Sequence, residues 1–314
     1  MIKRIISRLG VLTVVLFGVT LLTFFYTSLS PVDAGQALAV RRYTRPTEEQ
    51  VTQVRHELGL DKPFGEQYIS WLTKAVKGDF GDSYNTGKPI IDELSASMRP
   101  TLKLAAMALL FTALLSIPLG VLSAARKGGF ADKSIYLFGI VCMSVPNYWI
   151  GFMLMLAFAV NIPLFSIMGA ENWKDFVLPA LAIAIPTAAA NIRVFRSSLL
   201  DGYNSDFVMY ARARGISERK IAGIVSRYAL PPLVTLLGQS FGFTIAGSAM
   251  IEFVFSIPGV GSMLVTALGS RDTVTVNACV LVIAVIFVAV NFLAEVINAV
   301  LDPKEQAKER AYDT

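Results

Sequence analysis

The sequence predicts an all-α membrane protein with six transmembrane helices, and three observations support this fold class. The chain of 314 residues is 54% hydrophobic and only 16% charged, with a mean hydropathy of +0.58. That composition is too apolar for a soluble domain, whose surface must be polar. The apolar residues form stretches of about 20, the length that a membrane-spanning helix needs. Short basic segments separate several of these stretches.

The apolar stretches divide the chain into regions. The predicted spans are Leu9–Leu29, Leu102–Ala125, Ser134–Val160, Val177–Ile192, Leu230–Glu252 and Ala278–Leu301. We interpret the first stretch as a retained span rather than a cleaved signal peptide, because its apolar run is about 20 residues long. The predicted regions are 1–29 with the first span, an outer helical insert at 30–100, a five-helix membrane core at 101–303 with a cytoplasmic loop at 193–229, and a cytoplasmic tail at 304–314.

The distribution of lysine and arginine predicts the orientation. Basic residues cluster before the first span, between spans two and three, in the 193–229 loop and after the last span. Short loops rich in Lys and Arg face the cytoplasm, so both termini are predicted to be cytoplasmic. The net charge of +5 reflects this membrane topology and forms no basic domain of the kind that binds nucleic acid.

The predicted outer segment contains two helices with readable ends. Thr47 and Gln50 are spaced as a capping box, and Gly59 is placed to end that helix. Apolar and aromatic residues then recur at helical spacing from Phe64 until Gly78.

Residues inside the spans provide candidates for a solute path and for a hinge. Ser240, Thr244 and Ser248 recur every four residues in span five, beside a stripe of small residues at Gly238, Gly242 and Ala246. The hydroxyl stripe fits a translocation path or hydrogen bonds within the helix equally well. The small stripe favours close helix packing.

A second set of candidates lies where the chain should bend. Pro146, inside span three, removes a backbone donor and is a candidate hinge, with the ordinary occurrence of proline in membrane helices as the alternative. Glu252, at the end of span five, precedes a turn-forming segment that contains Pro258 and Gly259. We interpret these three residues as a candidate gate, with an ion-pair anchor as the alternative for Glu252.

Span six contains a carboxylate at membrane depth. Glu295 lies on one stripe with Asn291 and Asn298. Buried charge in a membrane usually has a function, so Glu295 is a candidate proton relay of a secondary transporter. Structural hydrogen bonding across the helix bundle is the favoured interpretation.

The sequence excludes a phosphate-binding loop, a histidine-based catalytic site and a cysteine-based metal site. The stretch from Gly81 to Gly87-Lys88 has one residue too many for a phosphate-binding loop, and Pro89 stands where a hydroxyl is required. His56 is the one histidine of the sequence, and Cys142 and Cys279 both fall inside spans. The sequence therefore predicts neither an enzyme nor a resident metal or cofactor.

The segment between spans four and five is about 37 residues long and polar. Asp206–Gly215 reads as a short basic helix closed by a glycine, and Ser217 starts another helix. A short helix on the cytoplasmic face can dock into a groove of another protein and pass movement to it. An anchor that rests on anionic lipid is the alternative.

This segment resembles the cytoplasmic coupling motif of ABC importer permeases, which is Glu-Ala-Ala, three residues, Gly, and a later Leu-Pro. Met209, Tyr210 and Ala211 occupy the first three positions, so the acidic residue is missing. Gly215 provides the glycine and Leu230-Pro231 the closing pair. This departure is similar to the peptide and nickel branch of that family.

Further motifs carry the resemblance from about residue 3 to Pro303. They are Leu58–Pro63, Gln67-Tyr68, Trp71-Leu72, Gly78–Tyr84, Arg99–Leu102, Ile117–Gly120, Ser144–Trp149 and Ile257–Gly261. The resemblance implies a type I importer permease in a bacterial inner membrane. It also implies the partners: a second related permease, two ATPase subunits that bind ATP and Mg²⁺, and an extracytoplasmic solute-binding protein.

The resemblance assigns roles and narrows the cargo. The ATPase-coupling residues that it implies are Tyr210, Ala211, Arg212, Ala213, Arg214 and Gly215.

The cargo classes of the branch are dipeptides, oligopeptides and nickel or its chelates. The stretch Ile167–Trp173 looks more like the nickel permeases. Because no His or Cys cluster could hold bare Ni²⁺, nickel would travel as a chelate or be recognised by the binding protein. A proton-coupled transporter and a membrane scaffold without transport are the rival functions.

Overall fold

The computed structural model describes residues 2–29, 34–43, 45–166 and 169–301, and these residues form thirteen α-helices and no strand. The helices are α1 (Ile2–Ser28), α2 (Ala34–Arg42), α3 (Glu48–Glu57), α4 (Phe64–Ala75), α5 (Ile90–Ala125), α6 (Phe130–Ser144), α7 (Asn147–Met155), α8 (Val177–Tyr203), α9 (Asp206–Ala213), α10 (Glu218–Gly247), α11 (Ala249–Val254), α12 (Val260–Ser270) and α13 (Thr273–Leu301). A π-helical turn, Leu156–Asn161, continues α7, and a 3₁₀ turn, Trp173–Phe176, precedes α8. The predicted all-α class is confirmed.

Four helices of the described chain are long and apolar enough to cross a membrane: α5, α8 with its preceding turn, α10 and α13. A fifth span results if α6 and α7 are counted as one broken crossing. Helix α1 covers the first predicted span, and its apolar part, Thr13–Ser28, is shorter than the other four. The total of six spans therefore stays a prediction.

The third predicted span is not a continuous helix, which corrects the sequence interpretation. Helices α6 and α7 meet at a bend of 101°. Val145, with φ −102° and ψ 134°, is extended, and Pro146 precedes the first residue of α7. The bend follows from proline chemistry, because the ring of Pro146 disfavours the helical conformation for the residue before it.

Three helices extend beyond the apolar stretches from which they were predicted. Helix α5 begins at Ile90 and continues through Pro100, α8 runs on to Tyr203, and α10 begins at Glu218. The predicted 193–229 loop is therefore largely helical. Hydropathy identifies only the part of a helix that lies in the membrane. The backbone hydrogen bonds of the helix continue into the polar sequence beyond it until a turn residue ends the helix.

The sequence-predicted helix ends of the outer segment are confirmed. Thr47 Oγ1 accepts a hydrogen bond from the Gln50 backbone N–H, and the Gln50 side chain accepts one from the Thr47 backbone N–H. Gly59 and Gly78 follow α3 and α4 with positive φ, +67° and +81°. That conformation is easily reached only by glycine, which is why these helices end there.

The described chain divides into two compact units, and the first comprises the residues up to Thr101 together with Ser256–Val288. Its core is a hydrophobic cluster: Ala75, Phe80, Ile90, Leu94, Val260, Ala278 and Cys279. Aromatic rings of α1 and α4 also pack together, with Phe24 in edge contact with Phe64 and Tyr68. The Thr20 and Tyr68 hydroxyls lie 2.9 Å apart beside them.

The second unit comprises Leu102–Phe255 and the residues from Ala289 onward. Helix α8 is its centre and packs against α6, α7 and α10. Helices α10 and α13 approach closely where Gly238 faces Ala294, since a Cβ built on Gly238 would overlap the Ala294 methyl group. The small stripe of the sequence thus permits close packing at Gly238, as predicted.

Candidate functional site

The candidate coupling site is centred on α9, a helix of eight residues between α8 and α10 in the second unit. Ser205 precedes it in an extended conformation, and Asp206 places a negative charge in its first turn, where the helix dipole favours one. Gly215 ends the helical path with φ +71°. Ser217 then stands at the start of α10, although its side chain makes no capping hydrogen bond.

One face of α9 is anchored in the protein. Val208 and Ala211 are buried in a hydrophobic cluster whose other members belong to α5, α8 and α10: Ala124, Phe195, Leu199, Ile221, Val225, Ala229 and Leu233. Beneath α9 the two long helices come close together, because Gly202 of α8 leaves room for Val225 of α10. A displacement of α9 must therefore disturb three other helices.

The opposite face of α9 is uncovered and partly apolar. Met209 and Tyr210 are 61% and 66% exposed. Arg212, Ala213, Arg214 and Gly215 are also exposed, so Ala211 is the one sequence-predicted coupling residue that is buried. The predicted coupling residues thus lie on one short segment, which is exposed on one face and buried on the other at Val208 and Ala211.

An ion pair joins the end of α9 to the start of α10. The Arg212 Nε donates to Glu218 Oε1 over 2.8 Å, and Nη2 donates to Oε2 over 3.3 Å. The hydrogen bond to Glu218 raises the pKa of Arg212. Both side chains are at least half exposed, so the pair adds little stability by itself. It holds the turn that contains Gly215.

The candidate path residues differ in exposure. Ser240 is half-buried, whereas Thr244 and Ser248 are buried within the second unit. Helix α10 ends at Gly247, so Ser248 lies at the junction with α11 rather than on the same continuous stripe. The Ser248 hydroxyl donates to Glu252 Oε1 over 2.8 Å.

The candidate gate and hinge residues lie at breaks in the helices. Glu252 is completely buried and belongs to the short helix α11, not to the end of the span-five helix as the sequence predicted. Pro146 lies at the 101° bend. Pro258 and Gly259 precede α12 in the first unit and line a cavity of about 340 Å³ there.

Two of the sequence candidates cannot be placed in full. Glu295 belongs to α13, but its side chain lies outside the part of the chain that the structure describes. Residues 167 and 168 of the nickel-like stretch also lie outside the described residues. Among the described residues, no group of three or more His, Cys, Asp or Glu side chains could hold a metal ion.

Sequence reasoning missed an ion pair with a buried carboxylate, whose residues neighbour the α9 cluster along the chain. Asp132 of α6 forms a two-pronged pair with Arg196 of α8, in which the Arg196 Nε and Nη2 each lie 2.7 Å from a carboxylate oxygen. Ser123 Oγ and the Gly128 backbone N–H also donate to Asp132. The available signal was an acidic residue inside a short basic segment, with an arginine in a second segment on the same predicted side.

A second network was also missed, in the first unit. Asp272 precedes α13, is 1% exposed, and accepts hydrogen bonds from Ser83, Asn85 and Thr275. Burial and the negative charge of Asp272 raise the pKa of Tyr84. The sequence signal for this network was Asp272, which stands three residues before Thr275 at the start of an apolar run. That spacing is typical of a residue that caps a helix.

This fold and coupling segment define a class of membrane transport subunit, and comparison with known proteins identifies the family. The family model described as "Binding-protein-dependent transport system inner membrane component" matches residues 116–306. The model of the corresponding N-terminal region matches residues 1–105. The chain belongs to this family. It is a permease subunit of an ABC importer and not an enzyme.

Individual relatives match along almost the whole chain. The glutathione transport system permease protein GsiC of Escherichia coli (strain K12) is 31% identical over 307 residues, which cover 96% of this chain and 98% of the relative. The dipeptide transport system permease protein DppB of Lactococcus lactis subsp. cremoris is 30% identical over 308 residues, covering 97% and 99%.

A solved structure has the same fold at lower sequence identity. The inward-facing MetNI methionine ABC transporter contains a chain that superposes with a TM-score of 0.54 at 18% identity. The match covers 67% of this chain and 96% of that one. This likeness supports the type I importer permease fold that the motifs implied.

Proposed function

We propose that this chain is the permease subunit of an ATP-driven importer of short peptides, and that α9 receives the movement of the ATPase partners. The observation that carries the coupling role is the two-sided character of α9. Val208 and Ala211 anchor it among three other helices, while Met209 and Tyr210 form an exposed apolar patch. Exposed aromatic and methionine side chains are typical of protein interfaces, and an amphipathic helix docks well into a groove.

The assembly proposed around this chain is the one that its family implies. A second related permease completes the path, two ATPase subunits bind ATP and Mg²⁺, and an extracytoplasmic binding protein delivers the solute. Both termini and α9 face the cytoplasm, and the helical segment 30–100 faces outward. The basic residues Arg212 and Arg214 fit this orientation.

Short peptides are the cargo class that the relatives favour. The two named above transport glutathione and dipeptides by their descriptions. The likeness of the stretch 167–173 to the nickel permeases favoured nickel, but these relatives are described as glutathione and dipeptide permeases. No support exists for the proton-coupled alternative that uses Glu295, because the family is driven by binding proteins and ATPases.

Substitutions on the exposed face of α9 test the coupling role. In proteoliposomes with the partner subunits and the binding protein, Met209→Ala together with Tyr210→Ala should lower uptake and its coupled ATP hydrolysis. Truncating a central interface anchor costs about 2 kcal/mol, roughly thirty-fold in affinity. Tyr210→Phe keeps the ring and is the matched control. Full transport by the double variant would overturn the coupling role.

The cargo is tested by uptake competition in the same proteoliposomes. Unlabelled dipeptides and glutathione should compete with a labelled dipeptide, whereas nickel chelates should not. Inhibition by a nickel chelate without inhibition by peptides would assign the permease to the nickel class.

A further inference from the structure

The ion pair Asp132–Arg196 is adjacent along the chain to the hydrophobic cluster that holds α9. Arg196 follows Phe195, and Ser123, which donates to Asp132, precedes Ala124. Phe195 and Ala124 both belong to the hydrophobic cluster that buries Val208 and Ala211. The polar network and the base of α9 are thus adjacent along two different helices.

The network joins three pieces of the second unit. Asp132 is in the first turn of α6, Arg196 is in α8, and Ser123 is near the end of α5. The Gly128 backbone N–H, 2.8 Å from Asp132 Oδ2, fixes the turn between α5 and α6. Packing reinforces the junction, because Gly120 of α5 lets the Phe195 ring approach closely.

The geometry of the pair is unlike that of an ordinary surface ion pair. The Asp132 side chain is 8% exposed, and four donors converge on its two oxygens. The planar guanidinium of Arg196 matches the carboxylate with two parallel bonds, which sets orientation as well as attraction. Removing Arg196 would leave the buried Asp132 carboxylate without its cation.

We propose that Asp132 and Arg196 are positioning residues of the coupling mechanism, which carry displacement of α9 to α5 and α6. This inference rests on the coupling role proposed for α9. The cluster passes movement from α9 to α8, and the two-pronged pair forces the α5–α6 turn to follow α8. Helix α6 ends at the Val145–Pro146 bend, so a movement of its first turn reaches the broken span. The two parallel bonds also fix the orientation of this turn relative to α8.

The test measures coupling in the assembled transporter. Asp132→Asn keeps the shape and some hydrogen bonds but removes the charge, and Arg196→Gln removes the matching partner. In proteoliposomes with the partner subunits and the loaded binding protein, each variant should retain basal ATP hydrolysis. Peptide transported per ATP hydrolysed should fall at least about five-fold in each. Arg196→Lys keeps the charge without the planar fork and should recover part of the loss.

Matched controls separate the pair from general charge effects. Arg193→Gln and Asp201→Asn change exposed charges on the same helix, α8, and should leave the coupling ratio unchanged. A double variant of Asp132→Asn and Arg196→Gln should lose no more coupling than either single variant, since both remove one interaction.

Two results would overturn the proposal. One is an unchanged ratio of peptide to ATP in assembled complexes of both single variants, with transport reduced only in proportion to the yield of complex. That outcome assigns the pair to folding alone. The other is equal loss in the Arg193→Gln control. If α9 variants uncouple transport while neither Asp132→Asn nor Arg196→Gln does, this inference fails and the proposed function stands.

Discussion

At the scale of single residues, the buried carboxylates of Asp132 and Asp272 accept hydrogen bonds from sequence-distant elements. Asp132 and Asp272 are both buried and each accepts hydrogen bonds from at least three residues. Glu252 is buried too and accepts from Ser248. Burying a carboxylate without partners would be costly, so such sites order the chain around them.

Asp272 provides a prediction about stability. Asp272→Ala should lower the free energy of unfolding by about 2–4 kcal/mol, because the donors from Ser83 and Thr275 lose their acceptor and α13 loses its cap. The measurement is thermal unfolding of the purified protein in detergent. Asp82→Ala changes an exposed carboxylate next to Ser83, in the loop between α4 and α5, and should have little effect. Equal melting temperatures of the two variants would contradict this account.

At the scale of secondary-structure elements, close packing of α10 on α13 depends on Gly238. Gly238→Ala should destabilise the protein by about 1–3 kcal/mol, because the new methyl group overlaps that of Ala294. The added change Ala294→Gly removes the overlap and should restore most of the loss. Thermal unfolding of the two single variants and the double variant measures this. Absence of recovery in the double variant would show that the contact is not the cause.

The helix ends show why element boundaries could be predicted in one part of the chain and not in another. Thr47, Gly59, Gly78 and Gly215 act through their own backbone or neighbours within a few residues, and each stands where a helix begins or ends. The stretches 193–203 of α8 and 218–229 of α10 carry polar sequence, and the sequence predicted a helix start only for the second, at Ser217. Their helical state depends on packing, since Leu199 and Val225 are buried in the cluster with α9.

At the scale of the whole molecule, the proposed orientation can be measured directly. Both described cysteines are buried, and a cysteine-free variant provides the background for single substitutions. An impermeant maleimide added to intact cells should label Glu49→Cys and should not label Ser217→Cys, although both positions are exposed. Permeabilised cells are the control and should label both. The reverse pattern in intact cells would invert the proposed topology.

The sequence by itself determined the fold class, most of the helices and the family. Hydropathy, turn residues and short motifs are local features, so the amino-acid sequence alone is enough to recognise them. The exposed character of α9 also followed from sequence, because its basic residues and its glycine lie in one short segment.

Only the tertiary structure decided which distant residues meet. Arg196 pairs with Asp132 across 64 positions, Ser83 with Asp272 across 189, and Gly238 faces Ala294. It also decided that Glu252 lies buried in its own short helix. Each of these features depends on how separate helices pack, and packing partners are selected by shape and by buried hydrogen bonds, which local patterns do not encode.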